Sequence, residues 1–172
     1  MPRAVFVTVG TTSFDALIEI VDDPAFVQSL ASLGYTSLRV QLGRGKYTPS
    51  HFDEGGTEVR GVRCDWYRFK PTLHGDMAAA ELIVSHAGAG SIIESLRLLK
   101  PLVVVVNESL MDNHQTELAS AMEAERYLIS ATCATLQATL LGAEFSSIVP
   151  LPPPARGAFA KLVDGEMGFV SQ

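Results

Sequence analysis

The chain has 172 residues, of which 47% are hydrophobic and 19% charged, and it carries a net charge of −6. This length suits one domain with a sizeable core, and the balance of residue types is that of an ordinary globular protein. The negative charge excludes a general nucleic-acid binder, which needs a basic face, so any bound phosphate must be held by local groups.

Met1-Pro2-Arg3 leads straight into Ala4-Val5-Phe6-Val7-Thr8-Val9, and no secretory leader is expected. The β-branched run reads as a strand buried on both faces, closed by Gly10-Thr11-Thr12-Ser13. From Phe14 to Leu33 apolar residues recur at helical spacing, and Asp22-Asp23-Pro24 divides the stretch into two helices. Leu38 to Leu42 is a second strand, followed by the loop Gly43-Arg44-Gly45-Lys46. Pro49 to Gly56 is polar and turn-rich, and mobility is expected there. A third strand falls within Val59 to Phe69, then a short helix between Pro71 and Ala80, and a strand at Leu82–Val84. Ser91 to Leu99 is the next helix, Leu102 to Val106 a strand, Asn113 to Glu125 a helix, and Tyr127 to Ser130 a last short strand. The alternation predicts an α/β fold with a doubly wound, mainly parallel sheet over residues 1–130. In residues 131–172 the pattern weakens. Leu151-Pro152-Pro153-Pro154 excludes helix and central strand, and Phe159, Leu162 and Val163 beyond it suit a short partner-binding helix. The longest apolar stretch, Leu98 to Val106, is broken by Lys100-Pro101 and too short to span a bilayer.

Ligands of open parallel sheets sit beyond the carboxyl ends of the strands. Four loops qualify: residues 10–13, 43–46, 86–91 and 107–115. The third carries the most chemistry. Ser85-His86-Ala87-Gly88-Ala89-Gly90-Ser91, followed by Ile92-Ile93-Glu94, reads as strand, glycine-rich turn and helix. Its glycines let the backbone approach a ligand, and the free N–H groups of the helix favour a diphosphate. Glu94, one turn on, can meet a neighbouring hydroxyl, so a nucleotide-sugar site is suggested. The competing reading is a capping box, Ser91-x-x-Glu94, in which the two residues only satisfy the helix end. Asp112-Asn113-His114-Gln115 has the same ambiguity, because its amide and imidazole groups also suit sugar hydroxyls.

Other motifs fail. Val40 stands where a P-loop needs its first glycine, and Ile93 occupies the third glycine of a dinucleotide fingerprint. Asp22-Asp23 resembles a metal pair only superficially, and no Asp-x-Asp occurs, so no metal site is expected. Cys64 and Cys133 are far apart, suggest neither a disulfide framework nor a zinc site, and suit a reducing compartment. His86 is either a structural histidine or a catalytic base, with no nearby acid in sequence to orient it. Arg44 and Lys46 either neutralise phosphate or are solvated surface charges.

Five blocks occur in order: Val5 to Thr12, Gln41 to Gly45, Ser85 to Glu94, Lys100 to Asn107 and Asp112 to Ala119. Together they closely resemble the soluble subunit of the eukaryotic N-acetylglucosamine transferase that makes dolichol-linked chitobiose. That family resembles the nucleotide-sugar-binding half of two-domain enzymes such as the peptidoglycan lipid II synthase. The resemblance implies a Rossmann-like sheet like the C-terminal, donor-binding half of a GT-B glycosyltransferase. It implies UDP-N-acetylglucosamine as donor, dolichol-diphosphate-N-acetylglucosamine as acceptor and an inverting transfer, with no cofactor. It matches Ala87, Gly88, Ala89, Gly90 and Ser91 to the donor diphosphate, Glu94 to the ribose hydroxyls, and His114 and Gln115, beside Asn113, to the sugar hydroxyls. Phe69 and Lys70 match the border of the uracil, and Gly10, Thr11 and Thr12 the first loop of the cleft. It implies a separate membrane-anchored subunit that supplies the acceptor site and the general base, and that recruits a cytoplasmic chain to the cytosolic face of the endoplasmic reticulum. The alternative is a non-catalytic regulatory or scaffolding module that retains the fold.

Overall fold

A computed structural model describes residues 2–110 and 113–153. The expected helix over Phe159 to Val163, and Asp112 at the head of its block, lie outside the described residues.

The apolar runs become the strands β1 (Ala4–Thr8), β2 (Ser37–Gln41), β5 (Leu82–His86), β6 (Leu102–Val106) and β7 (Ile129–Thr132). The third strand region is a hairpin: β3 (Thr57–Val59) returns through Arg60-Gly61 into β4 (Val62–Tyr67). Both turn residues have positive φ, 52° and 80°, the geometry that matches the twist of a two-residue hairpin. The sheet order is β3-β4-β2-β1-β5-β6-β7, parallel except for the β3 edge.

Side chains alternate across β1. Val5 and Val7 face α1 (Asp15–Asp22), α2 (Pro24–Ser32) and α6 (Leu136–Gly142), whose Leu17, Phe26, Leu30 and Leu136 share their core. Phe6 faces α3 (His74–Ala79), α4 (Ala89–Arg97) and α5 (Asn113–Ala124), with Met77, Ile92, Leu96 and Met122. Pro24 opens α2 with its fixed φ, and the Asp23 side chain caps that helix by accepting from Ala25 N at 2.8 Å. β7 runs across residue 130, and Gln137 on α6 reaches Ser29 Oγ on α2 at 2.8 Å.

The polar stretch after β2 is tied down, contrary to the mobility expected of it. Asp22 is 1% exposed and its carboxylate accepts from Tyr47 Oη (2.5 Å), Ser50 N (2.9 Å), Ser50 Oγ (3.0 Å) and His51 N (3.0 Å). Burial opposes ionisation of Asp22, but these donors outweigh it and hold the group below the usual carboxylate range. Phe52 is buried, and its carbonyl accepts from Trp66 Nε1 at 3.2 Å.

Candidate functional site

Strand order reverses at β1, which has β2 on one side and β5 on the other. The crevice beyond the carboxyl ends of β1 and β5 is therefore the topological switch point, where open α/β sheets seat ligands. A buried amide shapes its first loop. Gln41, the last residue of β2, is 1% exposed. Its Oε1 accepts from Gly10 N (2.9 Å), Val9 N (3.2 Å) and Thr8 Oγ1 (2.5 Å). Its Nε2 donates to Gly10 O (2.7 Å) and Arg68 O (2.8 Å). Both polar atoms are thus satisfied, and the loop after β1 is clamped to β2 and to the end of β4. Gly10 takes φ +62°, the left-handed region that favours glycine. Thr12 N and Oγ1 both donate to Val9 O, at 3.2 and 2.8 Å, and Thr11 and Thr12 are exposed on the rim.

β5 runs through His86, so Ser85 and His86 are strand residues and not part of the turn. The His86 ring is 9% exposed and fills the gap between two glycines. A Cβ on Gly10 would stand 2.8 Å from Nε2, and a Cβ on Gly88 would collide with the same ring. Burial pushes the imidazole down to about 4, so it is uncharged at neutral pH. No carboxylate contacts it among the described residues, and Ser91 Oγ lies 3.5 Å from Nε2. This geometry favours the structural reading of His86.

α4 begins at Ala89, two residues earlier than expected, because Gly88 (φ −84°, ψ 129°) is its N-cap. Ser91 is then the third helical residue, and the capping-box reading fails: no side chain caps this helix. The first-turn N–H groups of Ala89, Gly90 and Ser91 have no intrahelical acceptor and open toward the switch point. Ala87 is buried beneath them, 2% exposed. Gly90 is exposed, and a Cβ there would meet nothing within 4 Å. The Glu94 carboxylate meets His74 Nδ1 on α3 at 3.3 Å.

Phe69 and Lys70 follow β4. Phe69 is 53% exposed, while Lys70 Nζ bonds Asp76 Oδ2 at 2.9 Å and sits 4.2 Å from the centre of the Tyr67 ring. Asp76, on α3, also accepts from Arg39 Nη1 (3.0 Å) and Tyr67 Oη (2.5 Å). Burial opposes its ionisation, and the three donors hold it below the usual carboxylate range nonetheless. At the other end Asn113 is the first residue of α5, Gln115 is half-buried, and the exposed His114 has Nδ1 3.8 Å from Glu117 Oε2. Beside this end, a cavity of about 460 Å³ between the ends of β6 and β7 is lined by Asn107, Glu108, Thr116, Ser120, Thr132 and Thr135, among others.

The sheet order puts these pieces in one row: Phe69 and Lys70 after β4, Gly43 after β2, Gly10 after β1, Gly88 after β5 and the head of α5 after β6. Gly10 to Thr12 and Ala87 to Ser91 meet at the centre, and the other expected residues flank them. Arg44 and Lys46 are exposed, and their side chains make no hydrogen bond or ion pair among the described residues. Three residues were missed. Gln41 alternates in phase with the exposed Arg39 on β2, which gave no sign of its burial, and His74 and Asp76 act across elements.

The model of the glycosyltransferase family 28 C-terminal domain matches residues 4–155. The human UDP-N-acetylglucosamine transferase subunit ALG13 is 48% identical over 134 residues, which cover 78% of this chain and 11% of that protein. The chain thus spans about a tenth of the human relative's length. A solution NMR structure of ALG13 superposes with a TM-score of 0.71 at 30% identity, covering 94% of each chain. The crystal structure of MurG from Acinetobacter baumannii shares the fold, with a TM-score of 0.58 at 16% identity over 82% of this chain and 40% of MurG.

Proposed function

This chain belongs to the glycosyltransferase family 28 C-terminal domains, and from that premise we propose that it is the donor-binding part of a UDP-N-acetylglucosamine transferase. The observation that carries this reading is the uncapped N-terminus of α4 at the switch point, with the open position at Gly90 above it and Glu94 one turn beyond. A diphosphate is the ligand such a helix end receives. In this reading Ala87 to Ser91 hold the diphosphate, Glu94 the ribose hydroxyls, and Phe69 and Lys70 border the uracil. Asn113, His114 and Gln115 are assigned to the N-acetylglucosamine, and Gly10 to Thr12 to the cleft.

The transfer joins an acceptor hydroxyl oxygen to the anomeric carbon as the bond from that carbon to the UDP oxygen breaks, with inversion. The acceptor proton passes to a base on a membrane-anchored partner subunit, which also binds dolichol-diphosphate-N-acetylglucosamine at the cytosolic face of the endoplasmic reticulum. This chain's share of the rate is placing the donor and stabilising the charge that develops on UDP, through first-turn N–H groups already oriented before the reaction. No helix of the described residues is long and apolar enough to cross a membrane.

The test is turnover with UDP-N-acetylglucosamine and a short-chain lipid-linked acceptor, with and without the chain's native membrane fraction. Transfer that requires both is expected. Transfer by the chain alone would remove the partner from the reading, and absence of UDP binding by the chain would overturn it.

A further inference from the structure

We propose that His74 is the positioning residue for Glu94, holding its carboxylate ready for the ribose hydroxyls of a uridine nucleotide. The proposal rests on the reading of Glu94 given above. His74 Nδ1 lies 3.3 Å from Glu94 Oε1, while Oε2 has no partner among the described residues. One oxygen is thus anchored and the other is left to accept. A glutamate on a helix surface otherwise samples several rotamers, and fixing it beforehand removes an ordering cost from binding.

The anchor stands on a fixed mount. His74 is the first residue of α3, and its backbone N–H donates to Thr72 Oγ1 at 3.2 Å. Met77 on the same helix is fully buried, and Asp76 receives Arg39, Tyr67 and Lys70. Through Lys70 the same short helix is tied to the Phe69–Lys70 segment, so one element sets both the border of the base and the acid for the ribose. The pair itself is exposed, with side-chain accessibilities of 61% for His74 and 40% for Glu94. An exposed pair adds little to stability, so its removal is read in binding.

The experiment is calorimetric titration of the full chain with UDP and with 2′,3′-dideoxyuridine diphosphate, which lacks both ribose hydroxyls. His74→Ala is expected to weaken UDP binding about three- to tenfold, the scale of one hydrogen bond to a charged group or less. It should leave the dideoxy analogue and the melting temperature unchanged, and add nothing in a Glu94→Ala background. His74→Asn places an amide N–H where Nδ1 stands and should restore most of the affinity. Equal losses for both ligands, additivity with Glu94→Ala, or tighter UDP binding by His74→Ala would overturn the proposal. If Glu94→Ala leaves UDP affinity intact, the assignment of Glu94 itself fails. If Glu94→Ala loses affinity and His74→Ala does not, only the role of His74 fails.

Discussion

Gly90→Ala separates a ligand's demand for glycine from the protein's own. The substitution adds one methyl at the second residue of α4, where no atom lies within 4 Å of the new carbon. Glycine inside a helix costs about 0.5–1 kcal/mol relative to alanine, so the variant should match the parent or exceed it by up to that amount. In a chain of this size about 1 kcal/mol corresponds to roughly 2–4 °C in melting temperature. Binding should move the other way. Helical Cβ atoms tilt toward the N-terminus, so the methyl enters the space in which a diphosphate oxygen would meet the first-turn N–H groups. Losing one or two charge-assisted hydrogen bonds, at about 1.5–3 kcal/mol each, weakens UDP by at least about tenfold. Gly88→Ala is the contrast, because its methyl collides with the His86 ring and overpacking costs about 1–3 kcal/mol, so stability and binding fall together. Thermal melts and UDP titration of both variants check this. A Gly90→Ala chain that binds UDP as the parent does, or that melts below it, would refute the reasoning.

Gln41→Ala leaves Thr8 Oγ1, two backbone N–H groups and two carbonyls without their amide partner. We expect a loss of about 2–4 kcal/mol in urea unfolding, with UDP binding weakened in the surviving folded fraction. His86, at about 4 when folded against an ordinary 6.5, takes up its proton in that window only when the chain unfolds. Stability should therefore be full above pH 6.5 and fall as pH drops toward 4, by on the order of 3 kcal/mol, and His86→Gln should flatten that limb of the profile. Asp22 is held below its ordinary range, so its contribution is present above that range and is lost as pH falls through the depressed value. Asp22→Asn should cost roughly 1–3 kcal/mol at neutral pH and increase proteolytic cleavage between Tyr47 and Phe52.

The strands were legible because β-branched runs such as Val103-Val104-Val105 have no other stable home, and the helices because their apolar spacing is regular. The β3–β4 hairpin was not, since a three-residue strand carries almost no periodic signal and Arg60-Gly61 is a weak turn cue. The start of α4 was misplaced because Gly88 and Gly90 read together as one glycine-rich turn, whereas Gly88 alone is the N-cap and Gly90 already lies in the first helical turn. The site's loops could be listed from the sheet pattern alone. What holds them could not: Gln41 lies inside the expected strand Leu38 to Leu42, Asp22 reads as a helix break, and nothing in the sequence singles out His74. Each acquires its role from partners distant in sequence.

The switch-point arrangement also has a kinetic side. Gly10 and Gly88 lie far apart in the chain and meet only through the parallel pairing of β1 with β5, a contact of high sequence separation that closes slowly. During synthesis the loop after β1 emerges first, and its place beside Gly88 is set only once β5 and the start of α4 have followed and docked. On the proposed function, nucleotide capture would report that the long-range topology is complete, and a fluorescent uridine nucleotide added during refolding would time that closure.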